Sequence, residues 1–148
     1  MHEGFMRAAI EEAKLAGDAG DVPVGAVIVC NGEVIASAHN EREALSDPTA
    51  HAEVLAIRRA ARKLGRRRLS GCTLYVTLEP CPMCAGAIVM SELDGVYYGA
   101  ADAQAGCAGS VYALTEDPAF AKKIPSSGFL LEGPCREIID RFFEERRA

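Results

Sequence analysis

His51 and Glu53 stand two residues apart, and thirty positions after the histidine come Cys81 and Cys84, three residues from each other. One imidazole and two thiolates form a donor set that suits zinc. Three protein ligands are one fewer than a closed structural zinc site uses, and the open fourth position can hold a water. Glu53 is then left free to take that water's proton and return it elsewhere. The spacing predicts a hydrolytic centre with one zinc ion per subunit, His51, Cys81 and Cys84 as ligands, and Glu53 as the proton shuttle. Either half alone is weak, because H-x-E arises by chance and C-x-x-C also serves redox or structural ends. A closed structural site would need a fourth ligand, and His2 and His39 are the only other histidines. A redox pair would leave His51 and Glu53 without a task.

The elements that must carry these residues are legible in the pattern of apolar positions. Residues 3–17 repeat Phe5, Met6, Ala9, Ile10, Ala13 and Ala16 near a 3.6 period, which predicts an amphipathic helix. Residues 24–30 form an apolar run buried on both faces. Asn31-Gly32 is a two-residue hairpin turn, and 33–38 return as an antiparallel strand. Asp47-Pro48-Thr49 offers helix-start chemistry for a helix over 50–64 that Gly65 closes, with His51 at its beginning. A strand over 73–78 leads through Pro80 into a third helix, so Cys81 and Cys84 share one face of a helix start. There the free N–H groups favour thiolate over thiol. Further elements are a strand over 95–100, a loop over 101–110, irregular chain over 111–127, a short strand over 128–132 and a last helix over 134–146. That helix is expected to turn Ile138, Ile139, Phe142 and Phe143 inward. Strands alternating with helices predict a three-layer α/β/α fold around a mixed five-stranded sheet in a single domain spanning 1–148.

The 148 residues suffice for one domain with a proper core. No apolar run approaches the roughly 20 residues that span a bilayer, and the first residues lack a secretory profile. A cytoplasmic, reducing location is therefore expected, with the six cysteines unpaired. Cys30 and Cys72 read as small core residues, while Cys107 and Cys135 carry no assignment. The formal charge of −5 disfavours nucleic acid in sum, yet seven of sixteen basic residues fall between Arg58 and Arg68. That cluster reads as a solvated helix face or, because it follows the metal histidine, as the edge of the site. Arg141, Arg146 and Arg147 form a smaller cluster near the end.

H-x-E followed by P-C-x-x-C is the signature of zinc-dependent nucleobase deaminases. The fuller set of motifs resembles the bacterial tRNA-specific adenosine deaminases, within the cytidine and deoxycytidylate deaminase-like superfamily. It comprises Val22-Pro23-Val24-Gly25-Ala26-Val27, Asp47 to Glu53, Thr73 to Cys81, Met83 to Ala87, Gly99-Ala100, Asp102, Gly109-Ser110, and Phe142-Phe143 with Arg146-Arg147. The resemblance implies the cytidine deaminase-like fold and hydrolysis of adenosine to inosine at the wobble position of a tRNA anticodon. It also implies a homodimer whose subunits both shape the groove for the anticodon loop. Asn40 matches the asparagine that hydrogen-bonds the flipped-out base, and Asp102 the aspartate beside the target nucleotide. Two places depart from the family pattern: Ala101 and Gln104 replace basic neighbours of Asp102, and Ala121-Lys122 stands where Asn-His is common. Fewer fixed cations imply fewer phosphate contacts and weaker salt dependence, with Lys122, Lys123 and the arginine-rich helix as possible compensation. A deaminase of a free nucleobase or nucleoside, of the guanine or cytosine type, and a silent RNA-binding module with structural zinc are the competing readings.

Overall fold

The computed structural model describes residues 1–147, the last of them by its backbone alone, so the Arg147 side chain of the terminal cluster lies outside the described residues. Helix α1 (His2–Asp18) buries Met6, Ala9, Ile10, Ala13 and Ala16. Its small residues bring it close to strand β1 (Gly25–Cys30). A Cβ on Gly25 would lie 2.0 Å from the Ala9 carbonyl oxygen, so only glycine permits this approach. Along β1, Val27 and Val29 pack with α1, whereas Ala26 and Ile28 face the opposite core. The strand is therefore covered on both sides, as its continuous apolar run predicts. Asn31 and Gly32 have φ values of 53° and 77°, the left-handed pair that a tight hairpin requires. Strand β2 (Glu33–His39) then returns antiparallel, with a shift in register between Ile28 and Val29.

Helix α3 (Ala52–Leu64) ends at Gly65, whose φ of 68° stops it in the left-handed region. Strand β3 (Cys72–Leu78) pairs antiparallel with β1 and parallel with β4 (Gly95–Ala100), and helix α4 (Pro82–Ser91) connects the two. The short β5 (Ser126–Ser127) extends the sheet, whose order is β2-β1-β3-β4-β5. Helices α3 and α4 cover one face, while α1 and α5 (Glu132–Arg147) cover the other. This is the three-layer α/β/α fold with a mixed five-stranded sheet.

Four local expectations are corrected. The fifth strand lies at 126–127 rather than 128–132, because Phe129 and Leu131 take left-handed φ values of 68° and 52°. Gly128 instead lets the chain cross over the Tyr98 ring, which a Cβ would meet at 2.5 Å. The last helix starts at Glu132, since Pro134 is tolerated in its first turn. Phe143 does not turn inward; it is 41% exposed, while Ile139 is buried. Finally, Asp47 and Thr49 bond each other rather than capping α3.

A short helix, α2 (Arg42–Leu45), lies outside the sequence expectations. The buried Asp21 holds it by accepting the Glu43 and Val22 N–H groups and the Arg42 guanidinium at 2.8–3.2 Å. Burial alone would raise this carboxyl's pKa, but these donors together outweigh it and hold the value below the usual carboxylate range. A depressed folded value adds stability above the unfolded pKa and loses it as pH falls through the folded one. Asp21→Asn is expected to lower stability by about 1–3 kcal/mol at pH 7. Thermal melts of the two proteins should converge as pH drops below about 4; a constant gap across pH 3–7 would contradict the role.

Candidate active site

The predicted ligands meet at two helix beginnings. His51 is the residue immediately ahead of α3, and Cys81 holds the same position ahead of α4, with Pro82 in the first turn. Proline there sacrifices no helical hydrogen bond; it is Pro82, not Pro80, that occupies this place. The His51 Nδ1 atom lies 3.7 Å from Cys81 Sγ and 3.5 Å from Cys84 Sγ. All three donor atoms fall within 4.8 Å of one another, and among the described residues no fourth His, Cys, Asp or Glu joins them. Tetrahedral zinc with Zn–N near 2.0 Å and Zn–S near 2.3 Å requires an N···S separation of about 3.6 Å. The donor set therefore fits zinc in chemistry and in spacing.

Charge follows the same geometry. The Cys84 thiol donates to the Cys81 sulfur, which with His51 brings Cys81 down to about 4. That bond and burial push Cys84 the other way. His51 is held above its ordinary value, first by its bond to the Cys81 sulfur. By contrast, burial pushes Cys72 and Cys135 up to about 11 and raises Cys107 as well. All six cysteines are free. Cys72, Cys107 and Cys135 are thus inert core thiols, and Cys30 is half-buried opposite Cys72. Glu53, two residues into α3's approach, is 3% exposed. Burial pushes its carboxyl up to about 7, partly offset by its own backbone N–H and by His51. It stands beside the donor set without belonging to it.

A cavity of about 520 Å³ opens onto His51, Glu53 and Cys81. Asn40 and Asp102 also line it. The buried Asn40 accepts the Ala52 N–H at 2.9 Å and donates to the Val22 carbonyl at 3.1 Å. It caps α3 from the end of β2, it lines the cavity, and Val22 takes only one of its two amide hydrogens. Asp102 accepts the N–H groups of Gln104 and Ala105 at 3.0 and 3.1 Å, which turns the chain sharply at the rim. All six candidate residues are therefore brought to one place.

Arg42, Glu79 and Arg136 reach the cavity without having been singled out in the sequence, and Phe143, expected in the core, lines it as well. An acid between Leu78 and Pro80 at the end of an apolar strand is a readable anomaly. Nothing local marks Arg42 or Arg136. The basic run after His51 travels away from the site, because α3 descends toward the start of β3 at the far end of the sheet. Arg66 bonds its own turn and Arg68 pairs with Glu92 there, while Arg59 bonds Glu41 and Ser37 on β2 and the turn after it. Lys122 is tied to the Glu92 carbonyl at 2.8 Å and does not line the cavity. No member of the run, nor Lys122 or Lys123, lines the cavity. No helix of the described residues is long and apolar enough to cross a membrane.

Residues 1–100 match the family described as the cytidine and deoxycytidylate deaminase zinc-binding region. The chain belongs to that family. Among its relatives is the tRNA-specific adenosine deaminase of Bacillus subtilis, 48% identical over 98% of this chain and 90% of that protein. A solved structure from work on A-to-I editing by tRNA:A34 deaminases superposes with a TM-score of 0.88 at 43% identity, covering 91% of this chain and 98% of that one. The guanine deaminase of Bacillus subtilis, 41% identical over 84% and 83% of the two chains, gives a TM-score of 0.67.

Removing one thiol separates a metal centre from an ordinary hydrogen-bonded cluster. Cys84→Ala is expected to reduce zinc, measured by elemental analysis of the purified protein, to a background level. The thermal midpoint should fall by about 5 °C or more, since the ion joins two helix ends. Full zinc retention would refute the donor set.

Proposed function

We propose that this enzyme hydrolyses the 6-amino group of adenosine at the wobble position of a tRNA anticodon, leaving inosine and releasing ammonia. The observation that carries the reading is a buried carboxylate, free of the donor set, facing a nucleoside-sized cavity. The chain that holds it follows a tRNA:A34 deaminase structure over nearly its full length. His51, Cys81 and Cys84 hold zinc, which when bound supplies the Lewis acidity that makes water a competent nucleophile near neutral pH.

The chain's own groups handle the protons and the base. Glu53 takes a proton from the attacking water and delivers it to ring nitrogen N1 as the new C–O bond forms at C6. It then carries the second water proton to the departing nitrogen, which leaves as ammonia when the C–N bond breaks. Burial suits this double duty, since it raises the carboxyl's hold on the proton it carries between the two transfers. Asn40 offers its free amide hydrogen to an acceptor on the base, its orientation fixed by Ala52 and Val22. Asp102 flanks the target nucleotide. Only an unstacked base reaches such a pocket, so a single-stranded loop is the fitting context. Arg42 and Arg136 are the basic side chains lining the cavity, and on this reading their donors not taken by Asp21 and the Ala101 carbonyl meet backbone phosphates. On α4, Met83 and Met90 lie one heptad apart on the same side and are 36% and 78% exposed. That apolar strip supports a homodimer, with one zinc per subunit and cytoplasmic residence as part of the same reading.

The likeness to a guanine deaminase favours one alternative, a free nucleobase as substrate. Incubating the zinc-loaded protein with an adenosine-34 anticodon stem-loop and, separately, with guanine decides between them. Inosine in the RNA, detected by nuclease digestion and mass spectrometry, is the expected result. Ammonia from guanine with no inosine would overturn it. Glu53→Ala should lower kcat on the stem-loop by about 10²–10⁴-fold.

A further inference from the structure

Glu79 sits between the end of β3 and the turn that bears Cys81, and it is 2% exposed. Its Oε1 accepts the Asp102 N–H at 3.0 Å and the Ser110 hydroxyl. Its Oε2 accepts the N–H groups of Ala108 at 3.0 Å and Ser110 at 2.9 Å. All four donors come from the single segment 102–110. None of the ion pairs among the described residues includes Glu79. A buried carboxylate without a cation is retained only where hydrogen bonds answer both oxygens.

The loop is moulded around this group. A Cβ on Gly106 would lie 2.4 Å from Glu79 Cδ and Oε1 and 2.5 Å from the Asp102 carbonyl oxygen. The same segment carries Asp102, Gln104 and Ala105 along the cavity lining. The Cys107 N–H also bonds the Pro80 carbonyl at 2.8 Å, Arg136 holds the preceding Ala101 carbonyl at 2.6 Å, and residues 106, 107 and 109 bond to 111–114. Glu79 is the side chain that bonds both ends of the segment, at Asp102 and at Ser110.

We propose that Glu79, whose two oxygens at the cavity edge are both taken up by the 102–110 segment, is a positioning residue: it sets the wall that bears Asp102, and governs nucleotide binding and neighbour preference through that wall. The inference rests on the deaminase reading above. It yields a sign test. Were Glu79 present only to fill space, glutamine, which has the same shape and no charge to desolvate, would serve at least as well as aspartate. If both oxygens must accept, the glutamine NH₂ faces an N–H or O–H donor and forces part of the loop away. Aspartate keeps both acceptors on a shorter arm.

The experiment is steady-state kinetics of the zinc-loaded full chain on the anticodon stem-loop, with the wild type alongside E79Q, E79D and S110A. E79Q should raise KM about tenfold or more, as a wall displaced by a fraction of an ångström would. It should narrow the preference between stem-loops differing in the nucleotide next to the target, with zinc content unchanged and kcat within about threefold. E79D should be the milder variant. S110A removes one donor from an exposed rim and should move KM the same way by about two- to fourfold, which keeps the test valid if E79Q fails to fold. KM unmoved in the variants, or kcat falling at constant KM, or E79Q binding better than E79D, would overturn the inference alone. A wild type inactive on the stem-loop would overturn the tRNA reading and this inference with it.

Discussion

Two helices begin at the same point in space, and the residues ahead of their first turns are the donors. His51 precedes α3 and Cys81 precedes α4, each helix leaving the sheet after a buried strand or a tight turn. The free N–H groups and dipoles at these ends favour negative charge. That helps thiolates, which a divalent ion needs, and at Glu53 the backbone N–H offsets part of the rise that burial imposes on the carboxyl. Everything else in the site follows from this convergence. With β1 buried on both faces and Gly25 letting α1 close down on it, the strands that set these helix ends cannot shift independently.

Opposite the donors, polar groups are arranged in layers. Asn40 caps α3 and turns toward the cavity; Asp21 pins Arg42 at the rim; Glu79 gathers the 102–110 segment behind Asp102. In each case a side chain with several acceptors or donors satisfies backbone groups that loops would otherwise leave unpaired. The loops gain fixed shapes, as a site that must seat one nucleotide and exclude others requires.

Much of this was readable in the chain. The metal donors and Glu53 stood out because their types and spacing answer a chemical need, and the buried first strand and the Asn31-Gly32 turn because their periodicity has one physical meaning. The fifth strand was misplaced because left-handed residues at Phe129 and Leu131 are not glycine or asparagine and leave no local trace. Phe143 was assigned to the core by its helical period, yet the cavity interrupts the core there. Arg42, Arg136 and Glu79 act through partners 21 to 35 positions away, a distance that periodicity does not encode. Asn40 drew attention by resemblance, while its capping of α3 from another element emerged only in three dimensions.

The central claim is a zinc ion held by one nitrogen and two sulfurs, with no fourth protein donor. X-ray absorption at the zinc edge, on the protein purified with its metal, tests that directly. The account predicts two sulfur scatterers near 2.3 Å and two lighter nitrogen or oxygen scatterers near 2.0 Å, unchanged when Cys107 is replaced by serine. A third sulfur in the shell, or a spectrum altered by Cys107→Ser, would mean a closed site and contradict it.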